Sequence, residues 1–82
     1  MKTLKDTVKL MTSFDYRERF VAEYEQLVIR YKGLRNTLDK WDRSELDFTL
    51  ICPRSTYNLQ LKAMEDYIAV LEARAVMEGI VL

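Results

Sequence analysis

Seven residues recur at alternating spacings of four and three: Phe20, Tyr24, Leu27, Tyr31, Leu34, Leu38 and Trp41. That spacing puts all seven on one face of an α-helix for three heptads. A seam of this kind belongs to a long helix packed along another helix. It predicts a helix over about residues 15–41, roughly 40 Å long at about 1.5 Å per residue. Asp15 and Glu18 supply a D-x-x-E start signal, with Phe14 placed to staple against Arg19 or Phe20. Val21, Val28 and Ile29 lie beside the seam, so the apolar stripe is wide enough to ask for more than one neighbour. Gly33 sits inside the helix at a cost of about 1 kcal/mol relative to Ala. It is either a tolerated helical glycine or a point where another backbone or a ligand comes close.

The rest of the chain supplies a partner for the seam. Pro53 is a helix-start residue, and Gly79 is suited to the position just past a helix end. Between them Tyr57, Leu61, Met64, Ile68, Leu71 and Ala75 repeat the same alternation, which predicts a second helix over about 54–78. A second row, Ala63, Tyr67, Val70 and Met77, runs beside it. Lys62 with Asp66 and Arg74 with Glu78 are set for ion pairs one turn apart.

The connection, 42–53, is longer than the two to eight residues usual between bundled helices. It carries Leu46, Phe48, Leu50 and Ile51, which predicts a packed apolar lid, with Ser44 capping a short helical turn. Residues 1–13 read two ways. Leu4, Val8 and Met11 have helical spacing, and Thr3 with Asp6 matches a capping box. Leu4, Val8 and Leu10 also alternate with polar residues as in an edge strand. The favoured form is a short helix or arm lying on some surface, such as a neighbouring subunit. Ile80, Val81 and Leu82 form an apolar tail that needs a place to dock.

These elements define an all-α fold: a long antiparallel helical hairpin, residues 14–82, preceded by an N-terminal arm or short helix, 1–13. A domain of 82 residues gains little from a single core. There is no His, and the one Cys cannot form an internal bridge, so metals and disulfides do not supply the difference. With wide stripes on both helices, the chain is expected to form a homo-oligomeric helical bundle. The expected contact residues are Phe20, Tyr24, Leu27, Tyr31, Leu34, Tyr67 and Val70.

Lys+Arg and Asp+Glu both number 13, so bulk charge gives no reason to expect nucleic acid or an anionic membrane as partner. No apolar run reaches the roughly 18 residues a spanning helix needs, and no export signal is seen. The expected setting is the cytoplasm. No catalytic constellation stands out, because there is no base marked out beside Cys52 and the carboxylates fall into helical ion pairs. No cofactor and no metal are expected.

Small-anion binding has more to recommend it. Arg54, Ser55, Thr56 and Tyr57 open the second helix with a guanidinium, two hydroxyls, a ring and free backbone N–H groups, a set able to hold a phosphate and stack a base. Lys62 lies one to two turns on. Arg30 and Arg35, with Lys32, cluster around Gly33 and rank second.

The run Leu59 to Ala75 resembles the second helix of a family of small tailed-phage proteins similar to a small early protein of crAss-like phages. Gln60, Leu61, Ala63, Met64, Tyr67, Val70, Leu71 and Arg74 carry the resemblance. It implies a phage accessory protein acting in the bacterial cytoplasm. By architectural analogy with phage sponge proteins, it implies a counter-defence role. The chain is then expected to sequester a cyclic nucleotide or cyclic ADP-ribose type immune signal at pockets between subunits. The alternative expectation is an inhibitor or adaptor that engages a host protein through the apolar loop or tail.

Overall fold

The computed structural model describes residues 2–82, and among these it is helical with no strand. A 3-10 turn, Leu4–Thr7, runs directly into α1, Val8–Met11. Two long helices follow, α2, Tyr16–Asp42, and α3, Arg54–Glu78. They pack side by side as a hairpin in a body of 43 × 24 × 19 Å.

Local chemistry sets the helix ends. Asp15 is extended and its carboxylate accepts from the Arg17 N–H at 2.9 Å, satisfying one of the donors a helix start leaves open. Arg19 turns back to donate to the Ser13 carbonyl at 2.8 Å, rather than pairing with an acid on its own helix. Phe14 is fully exposed, so it makes no staple. Gly79 ends α3 at φ 68°, and the Ile80 N–H bonds to the Ala75 carbonyl at 2.8 Å. This left-handed cap turns Ile80 inward.

Both expected seams face each other. On α2, Phe20 and Leu38 are buried and Tyr24, Leu27, Tyr31, Leu34 and Trp41 half-buried. On α3, Leu61, Leu71 and Ala75 are buried and Tyr57, Met64 and Ile68 half-buried. The main cluster is Phe20, Leu71, Ala75 and Ile80, with Val21, Tyr24 and Leu27 packed against it. Of the apolar tail, Ile80 enters this core while Val81 stays 90% exposed.

Tyrosines bind the two helices together in a way periodicity does not reveal. Tyr16 donates to Glu78 at 2.7 Å, Tyr24 to Glu72 at 2.7 Å, and Tyr31 to Glu65 at 3.2 Å. Tyr67 on α3 donates in the opposite sense, to Glu23. Each rung gives its hydroxyl a charged acceptor, and the rings of Tyr16 and Tyr24 also meet Phe20 and the central cluster.

The arm lies on its own chain's α2, not on a neighbouring subunit. Thr3 and Asp6 form the capping box. Thr7 is fully buried, donates to the Leu4 carbonyl at 2.6 Å and accepts from Gln26 at 3.0 Å. At the tip, Lys2 pairs with Glu25 at 2.5 Å. The arm therefore takes the flank of α2 beside the seam, the second neighbour that the wide stripe asks for.

The connection is not a lid. Leu46 and Leu50 are half-buried, but Phe48 and Ile51 stand in solvent. Ser44 starts no helical turn. It adopts φ 57° and its N–H closes onto the Trp41 carbonyl at 3.0 Å, continuing the end of α2.

Candidate functional site

The anchors suggested by the sequence do not converge. At the start of α3 the Arg54 guanidinium pairs with Asp42, donates to Asn58 at 3.1 Å and lies 5.8 Å from the Trp41 ring centroid. Tyr57 meets Trp41 edge-on at 6.3 Å. A hydrogen bond with Cys52, together with burial, holds the Tyr57 hydroxyl above the ordinary tyrosine range. The Thr56 N–H closes onto the Pro53 carbonyl at 3.0 Å, and Ser55 is exposed. Arg54 and Tyr57 are thus braces of the hairpin's closed end.

The other candidates are similarly occupied or isolated. Lys62 pairs with Asp66 at 2.6 Å, which keeps it protonated beyond the ordinary lysine range. Arg35 donates to the Tyr31 hydroxyl at 3.2 Å, extending that rung to Glu65. Arg30 is exposed on α2. The contact set divides as well. Phe20, Tyr24, Leu27, Tyr31 and Leu34 face α3 within one chain, so they are not a free surface for a partner. Of that set, Val70 remains outside, 55% exposed, in a row with Ala63 and Met77, whereas Tyr67, 45% exposed, is tied to α2 through Glu23.

A different region has the shape of a binding site. The arm and the middle of α2 enclose an open groove of about 960 Å³. Val28, Ile29 and Leu4 give it an apolar floor, with Tyr24 at one side and Asn36 at the other. Three lysines, Lys2, Lys5 and Lys32, line it against one acid, Glu25. Lys5 and Lys32 have no ion-pair partner among the described residues. Gly33 lines the same groove, and a Cβ there would meet nothing within 4 Å. No close neighbour therefore requires a glycine at this position.

The groove suits a flat, partly apolar anion. A ring system can lie on Val28, Ile29 and Leu4, and ammonium groups reach it from both walls. Sequence reasoning noticed Lys32 and Gly33 but missed the site. Its other wall comes from residues about thirty positions earlier, and no periodicity links the two. A smaller concavity of about 280 Å³ lies between Leu10, Arg17, Val21 and the tail, and it holds one cation and one acid, Arg17 and Glu18. Among the described residues no cluster of His, Cys, Asp or Glu fits a metal ion. Among the same described residues no helix is long and apolar enough to cross a membrane.

The described residues thus form a helical hairpin with a lysine-lined groove between the arm and α2. Residues 15–77 match the Sequestin family, and the chain belongs to it. The family's name denotes sequestration, a binding role. No curated protein and no solved structure matches the chain.

Proposed function

We propose that this protein is a non-enzymatic, phage-encoded counter-defence factor that sequesters a nucleotide-type immune signal in the host cytoplasm. The ligand class is a cyclic nucleotide or a cyclic ADP-ribose isomer, and the site is the groove between the arm and α2. The family match over residues 15–77 carries the reading. The groove supports it, with three lysines to one acid over an apolar floor. The likeness of Leu59–Ala75 to small proteins of crAss-like phages supports the phage setting.

Sequestration removes a signal by stoichiometry, so the protein needs affinity and abundance and no rate. Homo-oligomerisation fits this role. The exposed row Ala63, Val70 and Met77 on α3, flanked by the outer edge of Tyr67, is the surface we assign to contact between copies.

Calorimetry against a panel of cyclic nucleotides and cyclic ADP-ribose isomers tests the proposal. At least one ligand should bind near one equivalent per groove. A Lys5→Glu, Lys32→Glu double variant should lose that binding, while Arg54→Ala should keep it. Absence of heat from every member of the panel refutes sequestration of this class. Loss of binding in Arg54→Ala alone returns the site to the start of α3.

The alternative, a host-protein adaptor, draws on one observation. Phe48 and Ile51 are 56% and 96% exposed side chains in the connection. A stoichiometric host partner whose capture is abolished by Ile51→Asp, with no small ligand bound, would favour it.

A further inference from the structure

We infer that Glu25 makes the groove selective for ligands that carry a free ribose hydroxyl beside their phosphates, in preference to phosphate alone. The inference rests on the groove as the ligand site. Three lysines by themselves would hold any compact polyanion. A carboxylate among them repels phosphate, so its presence needs another reason.

The surroundings of Glu25 supply that reason. Its side chain is 18% exposed, and Oε1 accepts from Lys2 Nζ at 2.5 Å. Oε2 is buried and has no hydrogen-bond partner. A buried carboxylate oxygen without a donor is uncommon in a folded protein and costly where it occurs. Glu25 lines the groove, so a shift of Lys2 off Oε1 would open its carboxylate to a donor that enters there. A ribose hydroxyl is the donor that a nucleotide carries next to its phosphates, and acids accept from it in other nucleotide sites.

The arm can give way to such a ligand. Lys2 lies at its tip with a side chain 58% exposed, whereas the anchor, Thr7, is fully buried and bonded to Gln26. A phosphate can draw the Lys2 ammonium off Oε1 without unseating Thr7. The Glu25 carboxylate then turns both oxygens to the ligand's hydroxyls. Lys2 and Lys5 lie outside the residues that match the family, 15–77.

Calorimetry on the full chain with two probes tests the inference. ADP-ribose offers a diphosphate with free ribose hydroxyls, and inorganic pyrophosphate offers the diphosphate alone. The wild type should bind ADP-ribose at least about tenfold more tightly, since sites built to hydrogen-bond a hydroxyl reject analogues that lack one. Glu25→Gln should weaken ADP-ribose by about tenfold or more and tighten pyrophosphate, because it removes both an acceptor and a repelling charge. If Glu25→Gln fails to fold, ADP-ribose compared with its deoxyribose analogue on the wild type still reads the hydroxyl, since both carry the ring that the apolar floor would hold; equal affinity for those two would overturn the inference.

Equal affinity for the two probes, binding of neither, or a variant that tightens on both would overturn the inference. Glu25 would then be only the counter-ion of Lys2. Sequestration would still stand if a cyclic ligand of the panel gave heat. Silence from every ligand would remove both proposals.

Discussion

Two neighbouring residues on α3 offer a sharp test of how the hairpin is built. Leu71 is 0% exposed in the central cluster, and Val70, one position before it, is 55% exposed. Leu71→Ala removes a fully buried side chain and leaves a cavity, a change that costs about 2–5 kcal/mol. A domain of 82 residues has about 4–12 kcal/mol of stability in total. At about 4–8 °C per kcal/mol for a domain of this size, a loss near 3 kcal/mol lowers Tm by about 12–24 °C.

Val70→Ala should behave differently. Its side chain is less than half buried, so the lost burial is about 0.7 kcal/mol at about 0.8 kcal/mol per CH₂. The better helix propensity of Ala returns a similar amount, about 0.6 kcal/mol. Within one chain the two nearly cancel. If α3 packs on another copy through the row containing Val70, that variant loses stability only where copies associate. The assay is thermal unfolding followed by circular dichroism at about 1 µM and about 200 µM, since linked association makes Tm depend on concentration. Leu71→Ala should fall steeply at both concentrations, and Val70→Ala only at the higher one. Equal losses at the lower concentration would mean that Val70 faces the core, and the assignment of faces on α3 would be wrong.

Two further predictions concern the glycines and the tyrosine rungs. Gly33→Ala should raise stability by up to about 1 kcal/mol, because the site is helical and a Cβ meets nothing within 4 Å; Gly79→Ala should lower it by about 1 kcal/mol, because φ is 68°. Denaturant midpoints of the two variants, moving in opposite directions, check both. The hydrogen bonds to Glu78 and Glu72 hold Tyr16 and Tyr24 above the ordinary tyrosine range. A raised folded value gives stability that is fully present below the unfolded value and is lost as pH rises through the folded one. Midpoints should therefore decline above about pH 10. Phe at positions 16 and 24 should flatten that decline, and an unchanged slope would count against the rungs. At the acid end the Tyr16 bond, aided by Arg74, holds Glu78 below the ordinary carboxylate range. Its contribution should be lost as pH falls through that lowered value.

Much of the hairpin is legible because its information is local. The alternation of Phe20 to Trp41 and of Tyr57 to Ala75 needs only helical geometry, and each seam turned toward the other. The Asp15 carboxylate and the Gly79 backbone likewise carry their own cap chemistry. What was not legible depends on residues far apart in the chain. Tyr24 and Glu72 are a rung only once the register of two helices is known. Phe14 reads as a staple until Ser13 and Asp15 shape the entry, with the Asp15 N–H donating to Ser13 at 3.0 Å, and leave the ring in water. Arg54 reads as a phosphate anchor until Asp42 and Trp41 take it. The groove is the extreme case: its walls are a short arm of two-way pattern and the flank of a helix whose main seam faces elsewhere.

The same separation bears on how a sequestering protein of this shape would work. The sequence suggested a pocket where copies meet at the start of α3, which would make the ligand site a product of assembly. In one chain, the lysines, the apolar floor and the unpaired Glu25 oxygen already share a groove between the arm and α2. The exposed apolar row belongs to α3, with Val70 and Met77 at 55% and 82% exposure. A lysine-rimmed concavity with an apolar floor and an exposed apolar stripe suit different partners, a small anion and another helix. Placing them on different helices lets copies associate without covering the groove. Association would then stabilise a thin core and multiply sites without building them. On the proposed arrangement, capacity would be set by the number of chains, and affinity by Lys2, Lys5, Lys32 and Glu25 within each.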